Sequence, residues 1–426
     1  MSNLEELIER LCPDGVEYKT LTELFDTKNG YTPSKSKEEY WTNGTVPWFR
    51  MEDIRENGNI LSKAIQYVSE SAIKGSLFPA DSIIVATSAT IGQHALIKVP
   101  SLANQRFTYL VLKDEFKEQI DIMFIYYCCF KLDEYCKECL NQGNFASVDM
   151  KKFLKFKFPV PPLEVQREIV RILDNFAIAT TEIQQKLQEE LAARQKQYEY
   201  YRDLLLTFKS NESTILNERT NELELSGAIR WMKLGDITKF TYGYTDKAKD
   251  FGNARFIRIT DITEDGCLNS QGAKYINLTA DSKKYLLNYG DLLLARTGAT
   301  YGKTLYFSSD IPAVYASFLI KITLDNNIIS NRFYWHFSKS RLYWEQAEKL
   351  VSQGGQQQFN TNAVSRVNIP VPPLEVQQRI VDILDRFDTL CNDISSGLPA
   401  EIEMRQKQYE YYRDKLLTFK ELKKEA

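Results

Sequence analysis

The chain contains the sequence PVPPLEVQ twice, at Pro159–Gln166 and at Pro370–Gln377. The sequence RQKQYEYYRD also occurs twice, at Arg194–Asp203 and at Arg405–Asp414. Both pairs are 211 positions apart (370 − 159 and 405 − 194), and 32 of the 51 positions from the start of PVPPLEVQ onward are identical in the two copies. Solenoid repeats have periods of only about 20–50 residues. The spacing therefore predicts a duplicated, domain-sized unit and a pseudo-twofold molecule.

The duplication continues upstream of these blocks with much lower identity. WFRMEDI at Trp48–Ile54 resembles FIRITDI at Phe256–Ile262, and DSIIVATSATIG at Asp81–Gly92 aligns with DLLLARTGATYG at Asp291–Gly302. Because the downstream copies are nearly identical and the upstream copies have diverged, we expect the upstream parts to bind different targets and the downstream parts to serve both. The predicted division is head 1 (1–158), spacer 1 (159–209), head 2 (210–369, with a polar linker at 210–230) and spacer 2 (370–426).

The composition indicates a globular protein of a reducing compartment. The chain has 426 residues, of which 43% are hydrophobic, so we expect two to four domains with an ample core. Its polar, acidic start lacks the pattern of a signal peptide, and no stretch reaches the ~18 apolar residues of a membrane helix. Seven scattered cysteines argue against a secreted disulfide framework. We therefore expect a cytoplasmic protein that makes no membrane contact.

The net charge of the chain is −3, which bears on nucleic-acid binding. Proteins that bind nucleic acid alone are usually basic, because neutralising phosphates supplies much of their affinity. If this chain contacts DNA, we expect a partner protein to supply much of the positive charge.

The spacers carry the hydrophobic pattern of a coiled coil. Apolar and aromatic residues follow one another in alternating steps of four and three, which is the 3.5-residue period of a left-handed coiled coil. The matching patterns predict that the two spacers pair with each other. The predicted seam consists of Leu187, Leu191, Arg194, Tyr198, Tyr201, Leu205 and Phe208 in spacer 1, and of Leu398, Ile402, Arg405, Tyr409, Tyr412, Leu416 and Phe419 in spacer 2.

The chain order predicts antiparallel pairing of the spacers, with one head at each end of the pair. In spacer 2, Gly397-Leu398-Pro399 should interrupt the helix, which restarts with proline in its first turn. Between Phe208 and Trp231 lie 22 residues, and 24 lie between Phe419 and Tyr18 when the sequence is read through its ends. This near equality predicts a circular arrangement, with Met1 and Ala426 on the same side of the molecule.

The sequence gives no support for catalysis or for a cofactor. Gly298–Thr304 resembles a phosphate-binding loop, but three residues separate its glycines where four are required, and Thr297 stands where the first glycine should be. The DNA methyltransferase signature, Asn or Asp followed by Pro-Pro-aromatic, does not occur in the sequence. We therefore expect no catalytic residues and no cofactor.

The cysteines and histidines do not have metal-ligand spacing. Cys128 and Cys129 are adjacent, whereas zinc sites usually use a Cys-x-x-Cys pair. Together with Cys136 they fit an apolar helix face, so we interpret them as core thiols. His94 and His336 are too few and too distant in sequence for a histidine-based site. We expect no metal.

Features typical of nucleic-acid binding recur at equivalent places in the two heads. Each head has an arginine after an aromatic residue, a polar loop after an apolar strand, and a run of amide side chains, which is the chemistry that reads base edges. The candidate DNA-binding residues are Arg50, Ser88, Thr90, Gln93, His94, Asn104, Gln105, Arg106 and Asn144 in head 1, and Arg258, Arg296, Thr297, Thr300, Lys303, Gln356, Gln357, Gln358 and Asn360 in head 2.

Taken together, the PxPPLExQ blocks and the R-x-K-Q-Y-E-Y-Y-R-D-x-L-L-T-F blocks resemble those of type I restriction–modification specificity subunits over nearly the whole length. Leu234-Gly235-Asp236 in head 2 also fits this family, while head 1 has Leu21-Thr22-Glu23 where Leu-Gly-Asp or Leu-Gly-Glu is common. The resemblance implies an α+β fold in which two globular target-recognition domains with β-rich cores are joined by two long antiparallel coiled-coil helices.

The resemblance also implies a function without catalysis. Each head would read one half of a bipartite sequence in double-stranded DNA, and the spacers would dock two methyltransferase subunits, which restriction/translocase subunits then join. With its methyltransferase partner, the chain would direct adenine methylation at one split site. The candidate partner-binding residues are Leu163, Gln166, Ile169, Leu374, Gln377 and Ile380.

Two other functions remain open at this point. A fused methylase–specificity enzyme would need a catalytic domain for which the chain has no room. A coiled-coil scaffold without a nucleic-acid role is opposed only by the loops that bear amides and arginines.

Overall fold

The computed structural model describes residues 3–141, 146–208, 229–269, 271–352, 357–392 and 397–422. Residue contacts divide the chain into two units, unit 1 (1–184 with 404–426) and unit 2 (185–403).

In unit 1, the elements up to the first long helix are α1 (Asn3–Leu11), β1 (Glu17–Thr20), α2 (Leu21–Leu24), β2 (Phe25–Asn29), β3 (Val46–Phe49), α3 (Met51–Asn57), β4 (Ile60–Leu61), β5 (Tyr67–Val68), β6 (Ser82–Ala86), β7 (His94–Ile97), β8 (Leu102–Ala103), β9 (Phe107–Leu112), α4 (Ile122–Glu138), α5 (Met150–Phe153) and β10 (Lys157–Val160).

The long helix α6 (Leu163–Leu206) begins in unit 1 and ends in unit 2. The remaining elements are β11 (Arg230–Lys233), α7 (Leu234–Ile237), β12 (Thr238–Tyr242), β13 (Ala254–Ile257), β14 (Tyr275–Ile276), β15 (Leu292–Ala295), β16 (Thr304–Tyr306), β17 (Ala313–Tyr315), β18 (Leu319–Leu324), α8 (Asn331–Phe337), α9 (Arg341–Leu350), α10 (Thr361–Val364), β19 (Asn368–Val371), α11 (Leu374–Asn392) and α12 (Leu398–Leu416). No helix in the described ranges is long and apolar enough to cross a membrane.

The sheets of the two heads correspond strand for strand, except that the larger sheet of head 1 has one more described strand, β4, at its edge. Head 1 has a five-stranded sheet in the order β2-β9-β6-β7-β4, a three-stranded sheet β5-β3-β8 and the pair β1-β10. Head 2 has the sheets β12-β18-β15-β16 and β14-β13-β17 and the pair β11-β19. The central strands β6 and β15 are buried along their whole length, as expected for continuous apolar runs in the middle of a sheet. The faint sequence repeat thus corresponds to a structural repeat.

The strand registers correct one part of the sequence alignment. Ala86 pairs with Phe107 in head 1, and Ala295 pairs with Leu319 in head 2. Ala86 and Ala295 are therefore equivalent, which makes Arg296 the counterpart of Thr87 rather than of Ala86. The sequence alignment placed these residues one position off because the loop that follows is one residue longer in head 2.

Four residues of the predicted seam, Tyr198, Tyr201, Tyr409 and Tyr412, contact the opposite spacer within their own unit, and the rest of the seam stays a prediction. In unit 1, the ring of Phe176 lies 5.7 Å from that of Tyr409 and 5.8 Å from that of Tyr412, and Gln184 Nε2 donates to Gln406 Oε1 at 3.0 Å. Higher residue numbers in α6 thus meet lower numbers in α12, which is antiparallel pairing. The second helix breaks before Leu398, and Pro399 lies in the first turn of α12, as predicted.

Unit 2 contains the matching contacts. Phe387 of α11 lies 6.4 Å from the ring of Tyr198 and stacks at 5.6 Å on that of Tyr201. Leu206 near the end of α6 is fully buried in the unit 2 core, and its repeat equivalent Leu417 is buried in the unit 1 core. Each head therefore packs on the start of the spacer that follows it and on the end of the other spacer.

The segment after α12 joins the first strands of unit 1. Leu422 N–H donates to Val16 O at 2.8 Å, Tyr18 Oη donates to Phe419 O at 3.1 Å, and Lys157 pairs with Glu421 at 2.8 Å. These contacts agree with the predicted circular arrangement. Met1 and Ala426 themselves lie outside the described residues, so the prediction about their proximity stays a prediction.

A polar contact joins head to spacer at equivalent places in the two units. Asp121 N–H donates to Gln166 and Ser330 N–H donates to Gln377, each in the first turn of the following spacer helix. Tyr127 and His336, six residues after these donors, are therefore equivalent. Tyr127 Oη donates to Asp174 at 2.6 Å, whereas His336 Nε2 lies 2.7 Å from Asp385. Burial lowers the pKa of His336 to about 4, so this imidazole is neutral at pH 7.

The cysteines of α4 are core residues, as the apolar face predicted. Cys128, Cys129 and Cys136 pack in the unit 1 core with side chains that are 2% exposed or less. Burial raises the pKa of all three thiols, that of Cys136 to about 12, so they remain protonated at neutral pH.

Candidate nucleic-acid interface

Head 1 contains a polar cleft of about 740 Å³ that brings together candidates far apart in the sequence. Parallel pairing of β3 with β8 explains the arrangement, since Asn104 N–H donates to Phe49 O at 3.0 Å immediately beyond the strands. Arg50, which follows β3, thus lies beside the loop that follows β8. The cleft is lined by Thr32, Lys35, Ser36, Glu38, Trp41, Trp48, Arg50, Met51, Glu52, Gln66, Asn104, Gln105 and Arg106.

Arg50 is held at the cleft by its neighbours and keeps hydrogen-bonding capacity. Its guanidinium carbon lies 5.6 Å from the ring centre of Trp48, and its Nε is 3.9 Å from a Glu52 carboxylate oxygen. The Nε atom is buried without a hydrogen-bond partner among the described residues. Asp53, which accepts from the backbone N–H groups of Arg50 and Ile65 at 2.6 Å each, fixes the local backbone.

The loop Asn104–Arg106 presents two amides and a guanidinium. Asn104 Oδ1 accepts from Arg106 N–H at 3.0 Å, which closes a tight turn, and Gln105 Oε1 accepts from the Thr32 hydroxyl. The Arg106 side chain is exposed. Within the part of the chain that the structure describes, its guanidinium has no hydrogen-bond or ion-pair partner. This cluster of Arg50, Asn104, Gln105 and Arg106 is one of the predicted groups that the fold brings together.

Head 2 places Arg296 between two partly exposed aromatic rings. The guanidinium carbon lies 5.2 Å from the ring centre of Tyr242 and 5.5 Å from that of Phe318, which is 51% exposed. Arg296 Nε donates to Ser317 O at 3.2 Å. Gln358 lies beside this group, because it bridges to the neighbouring Thr297 backbone, and its side chain is exposed. The fold thus brings the predicted Arg296 and Gln358 together and adds two aromatic residues, while Gln357 is exposed on the adjoining segment.

Arg258 differs from Arg50, although the sequence predicted equal roles for them. Its Nε and Nη2 atoms donate to the two carboxylate oxygens of Asp261 at 3.1 and 2.8 Å, and Nη2 also donates to Gly272 O at 3.1 Å. A paired, hydrogen-bonded guanidinium of this kind holds its own loop together. Arg258 is therefore equivalent to Arg50 in position, since the backbone N–H of each donates to an aspartate three residues on, but its guanidinium is engaged by its own loop, and a DNA contact by Arg258 stays a prediction.

Two candidates are buried and cannot contact a ligand in this structure. His94 has no exposed surface, lies 2.6 Å from Asp133 and packs against the ring of Phe130 at 4.6 Å. Thr297 is 3% exposed. The sequence interpretation took a polar residue at the end of an apolar strand to face solvent, whereas His94 packs against α4 and Thr297 is buried, so a DNA contact by either stays an untested prediction that burial opposes.

Six other candidates either make contacts within the head or are only partly exposed. Asn360 caps α10 by accepting from Ala363 N–H at 3.1 Å, and Lys303 pairs with Glu264 at 3.5 Å, so both have structural contacts of their own. The remaining described candidates in this group are partly buried loop residues: Ser88, Thr90, Gln93 and Thr300. Asn144 and Gln356 lie outside the described residues.

The predicted partner-binding residues divide into buried and accessible ones. Gln166 and Gln377 have no exposed surface, and Ile169 and Ile380 are 0% and 4% exposed. They cannot meet a partner in this structure, because each glutamine is fully engaged with its own head and each isoleucine lies in the core. Leu163 is partly buried and Leu374 is 43% exposed, so these two remain accessible.

The sequence interpretation missed two exposed tyrosines on the spacers. Tyr200 and Tyr411 are equivalent in the repeat and are 63% and 62% exposed. Each packs edge-on against the next tyrosine, with ring centres 5.4 and 5.3 Å apart. The signal was present in the sequence, since both tyrosines lie off the heptad seam yet are identical in the two copies.

Comparison with known proteins identifies the family. The family model for the "Type I restriction modification DNA specificity domain" matches residues 13–193 and again residues 229–404, one match for each repeat. The chain therefore belongs to the family of type I restriction–modification specificity subunits. The specificity subunit of the type I restriction enzyme EcoprrI from Escherichia coli is 38% identical over 408 residues, which cover 93% of this chain and 92% of that protein. The MjaIX specificity subunit from Methanocaldococcus jannaschii is 22% identical over 399 residues, 89% of each chain.

Solved structures have the same fold. A chain from a structure that addresses complex assembly and conformational transition of a type I restriction–modification system has a TM-score of 0.65 at 15% identity, covering 96% of this chain and 98% of its own. The HsdS subunit from Thermoanaerobacter tengcongensis has a TM-score of 0.53 at 16% identity, covering 96% and 97%. The predicted fold class, with mixed helix and sheet and two β-rich heads, is confirmed.

Proposed function

We propose that the chain is the DNA-reading subunit of a type I restriction–modification complex and has no turnover of its own. The observation that carries the proposal is the double match of a DNA specificity domain, once for each head. Each head also presents a guanidinium beside amides or aromatic rings, the side chains that read base edges and stack on bases. Head 1 reads one half of a bipartite target, and head 2 reads the other.

The net charge of −3 supports a division of labour within the complex. Sequence reading needs few contacts to base edges, whereas affinity for DNA comes largely from phosphate neutralisation. The methyltransferase subunits therefore supply much of the positive charge as well as the chemistry. Restriction/translocase subunits complete the complex.

The spacers dock the methyltransferase subunits through surfaces common to both repeats. Tyr200 and Tyr411 are large, exposed and equivalent, and tyrosine is a frequent anchor residue at protein interfaces. Tyr200→Ala and Tyr411→Ala should weaken assembly with the methyltransferase subunit and leave the melting temperature unchanged. Tyr289→Ala, which removes a 66% exposed tyrosine from head 2, is the matched control. Assembly that is weakened no more than in the control would remove these residues from the interface.

Selection from a duplex library with a randomised segment tests the reading function. The chain with its methyltransferase subunit should enrich one split sequence and, with a methyl donor, methylate adenine within it. The chain alone should methylate nothing. Enrichment of no sequence by the complex would favour the alternative, a coiled-coil scaffold, and methylation by the isolated chain would contradict the absence of turnover.

A further inference from the structure

One backbone hydrogen bond occupies the same place in both heads, just beyond the central strand pair. In head 1 it runs from Thr87 N–H to Arg106 O at 3.0 Å, and in head 2 from Arg296 N–H to Phe318 O at 3.2 Å. The next bond also matches, since Val148 N–H donates to Thr87 O and Phe359 N–H donates to Arg296 O. Thr87 is thus equivalent to Arg296, and Arg106 is equivalent to Phe318.

Each head has one arginine at this bond, but on opposite strands. Head 1 carries it on the loop that enters β9, while head 2 carries it at the end of β15. The residue across the bond from the arginine also differs: it is Thr87 in head 1 and Phe318 in head 2. In head 1, the buried Thr87 hydroxyl lies 2.9 Å from that of Thr108, so this side is filled by small polar groups.

The two guanidinium groups have different neighbours, but in both heads the terminal N–H groups have no partner among the described residues. The Arg296 guanidinium lies near the rings of Tyr242 and Phe318, and its Nε donates to Ser317 O, which leaves both terminal nitrogens without a partner among the described residues. Arg106 projects from a turn closed by Asn104 Oδ1, and its whole guanidinium lacks a partner in the described ranges. Each head therefore offers one fork of two N–H groups at one equivalent point.

We propose that this point reads a guanine in both half-sites, through Arg106 in head 1 and Arg296 in head 2. The inference rests on the proposed function and specifies its chemistry. An arginine fork donates to O6 and N7 of guanine in the major groove, a pair of acceptors that the other bases do not offer. The arginine lies on the other strand in head 2, yet in both heads it belongs to the same cross-strand pair of residues, so the two side chains start from neighbouring points on the strand ends. Asn104 and Gln105 in head 1, against Tyr242 and Phe318 in head 2, then make the neighbouring positions of the half-sites differ.

Binding to a panel of duplexes tests the proposal. The complex with the methyltransferase subunit is first used to select its split sequence. Duplexes that carry each alternative base pair at each position are then compared by gel shift at one salt concentration. Arg106→Ala should lose a roughly tenfold or greater preference at one G·C pair of one half-site, and Arg296→Ala at one G·C pair of the other. All other positions should discriminate as before.

Arg106→Lys and Arg296→Lys keep the charge and remove the fork, so they should lose the same discrimination while retaining salt-dependent affinity. Melting temperatures check that the variants are folded, and the lysine variants serve if an alanine variant is not. The proposal is overturned if a half-site lacks a G·C pair, if variants discriminate as the wild type does, if both arginines affect the same half-site, or if folded variants lose affinity equally for all duplexes. A wild-type complex that selects no sequence would instead refute the proposed function itself.

Discussion

Replacing Gln166 or Gln377, the glutamine in the first turn of each spacer helix, should destabilise the head attached to that helix. Gln166 Nε2 donates to Gln119 O at 2.9 Å and to Pro161 O at 2.7 Å, and its Oε1 accepts from Asp121 N–H at 2.9 Å. Gln166→Leu keeps the approximate volume and leaves these three backbone groups unpaired. A buried unpaired polar group costs about 1–3 kcal/mol, so the loss of all three bonds should lower the free energy of unfolding of unit 1 by roughly 3–9 kcal/mol.

The repeat supplies a matched second site. Gln377 makes the same three bonds, to Ile328 O at 2.9 Å, to Pro372 O at 2.8 Å and from Ser330 N–H at 2.9 Å, so Gln377→Leu should destabilise unit 2 by a similar amount. Gln378→Leu, at an exposed residue that bonds only to a side chain one turn away, is the control and should cost less than about 0.5 kcal/mol.

Scanning calorimetry of the isolated chain should detect the loss, because about 1 kcal/mol corresponds to roughly 2–4 °C for units of this size. Losses below about 1 kcal/mol for both variants would refute the reasoning from the three bonds. If both variants keep normal stability but do not assemble with the methyltransferase subunit, the predicted role of these glutamines in partner binding would be supported instead.

Three further predictions rest on other contacts. Arg258→Ala should lower the free energy of unfolding by about 1–3 kcal/mol without changing the selected DNA sequence. Arg50→Ala should weaken the sequence preference in the half-site read by head 1, with little loss of stability. Calorimetry and sequence selection on both variants check these outcomes. Because folding lowers the pKa of His336 from about 6.5 to about 4, stability is complete above about pH 6.5 and should fall by up to roughly 3 kcal/mol as the pH drops toward 4. Urea denaturation at pH 7 and pH 5 should show part of this loss in the wild type and a much smaller loss in the variant His336→Tyr. Tyrosine is the residue at the equivalent position in unit 1, Tyr127. Leu417→Ala and Leu206→Ala should each cost about 2–5 kcal/mol, the first in unit 1 and the second in unit 2. Resistance to urea equal to that of the wild type in either variant would contradict the packing described.

The spacers were predictable because the repeat and the heptad pattern are local signals. The seam, the break before Leu398 and the antiparallel pairing within each unit all follow from residue order and periodicity. The predicted partner-binding role of Gln166 and Gln377 is untested, but their burial opposes it. Identity between the two copies marks a residue that both copies need, and for Gln166 and Gln377 the need is a set of internal hydrogen bonds. Sequence identity alone does not distinguish this from a shared partner.

The candidate DNA-binding surfaces could be predicted only in part. The residue types were evident, but the cleft of head 1 depends on the parallel pairing of β3 with β8, which joins segments about fifty residues apart and leaves no local signal. The equivalence of Thr87 with Arg296 was hidden by a one-residue difference in loop length, and the matching glycines at Gly92 and Gly302 favoured the wrong register. Strand register fixes such equivalences through backbone hydrogen bonds, which are independent of side-chain identity.

The measurement that tests the central claim most directly is the methylation pattern of a genome. Cells should express the chain with its methyltransferase subunit, and a second strain should express the chain with residues 1–158 replaced by the head of another family member. The account predicts one split adenine-methylated sequence in the first strain, and in the second strain a change in one half of that sequence with the other half unchanged. A change in both halves, or methylation without a split sequence, would contradict the claim that each head reads one half of the target.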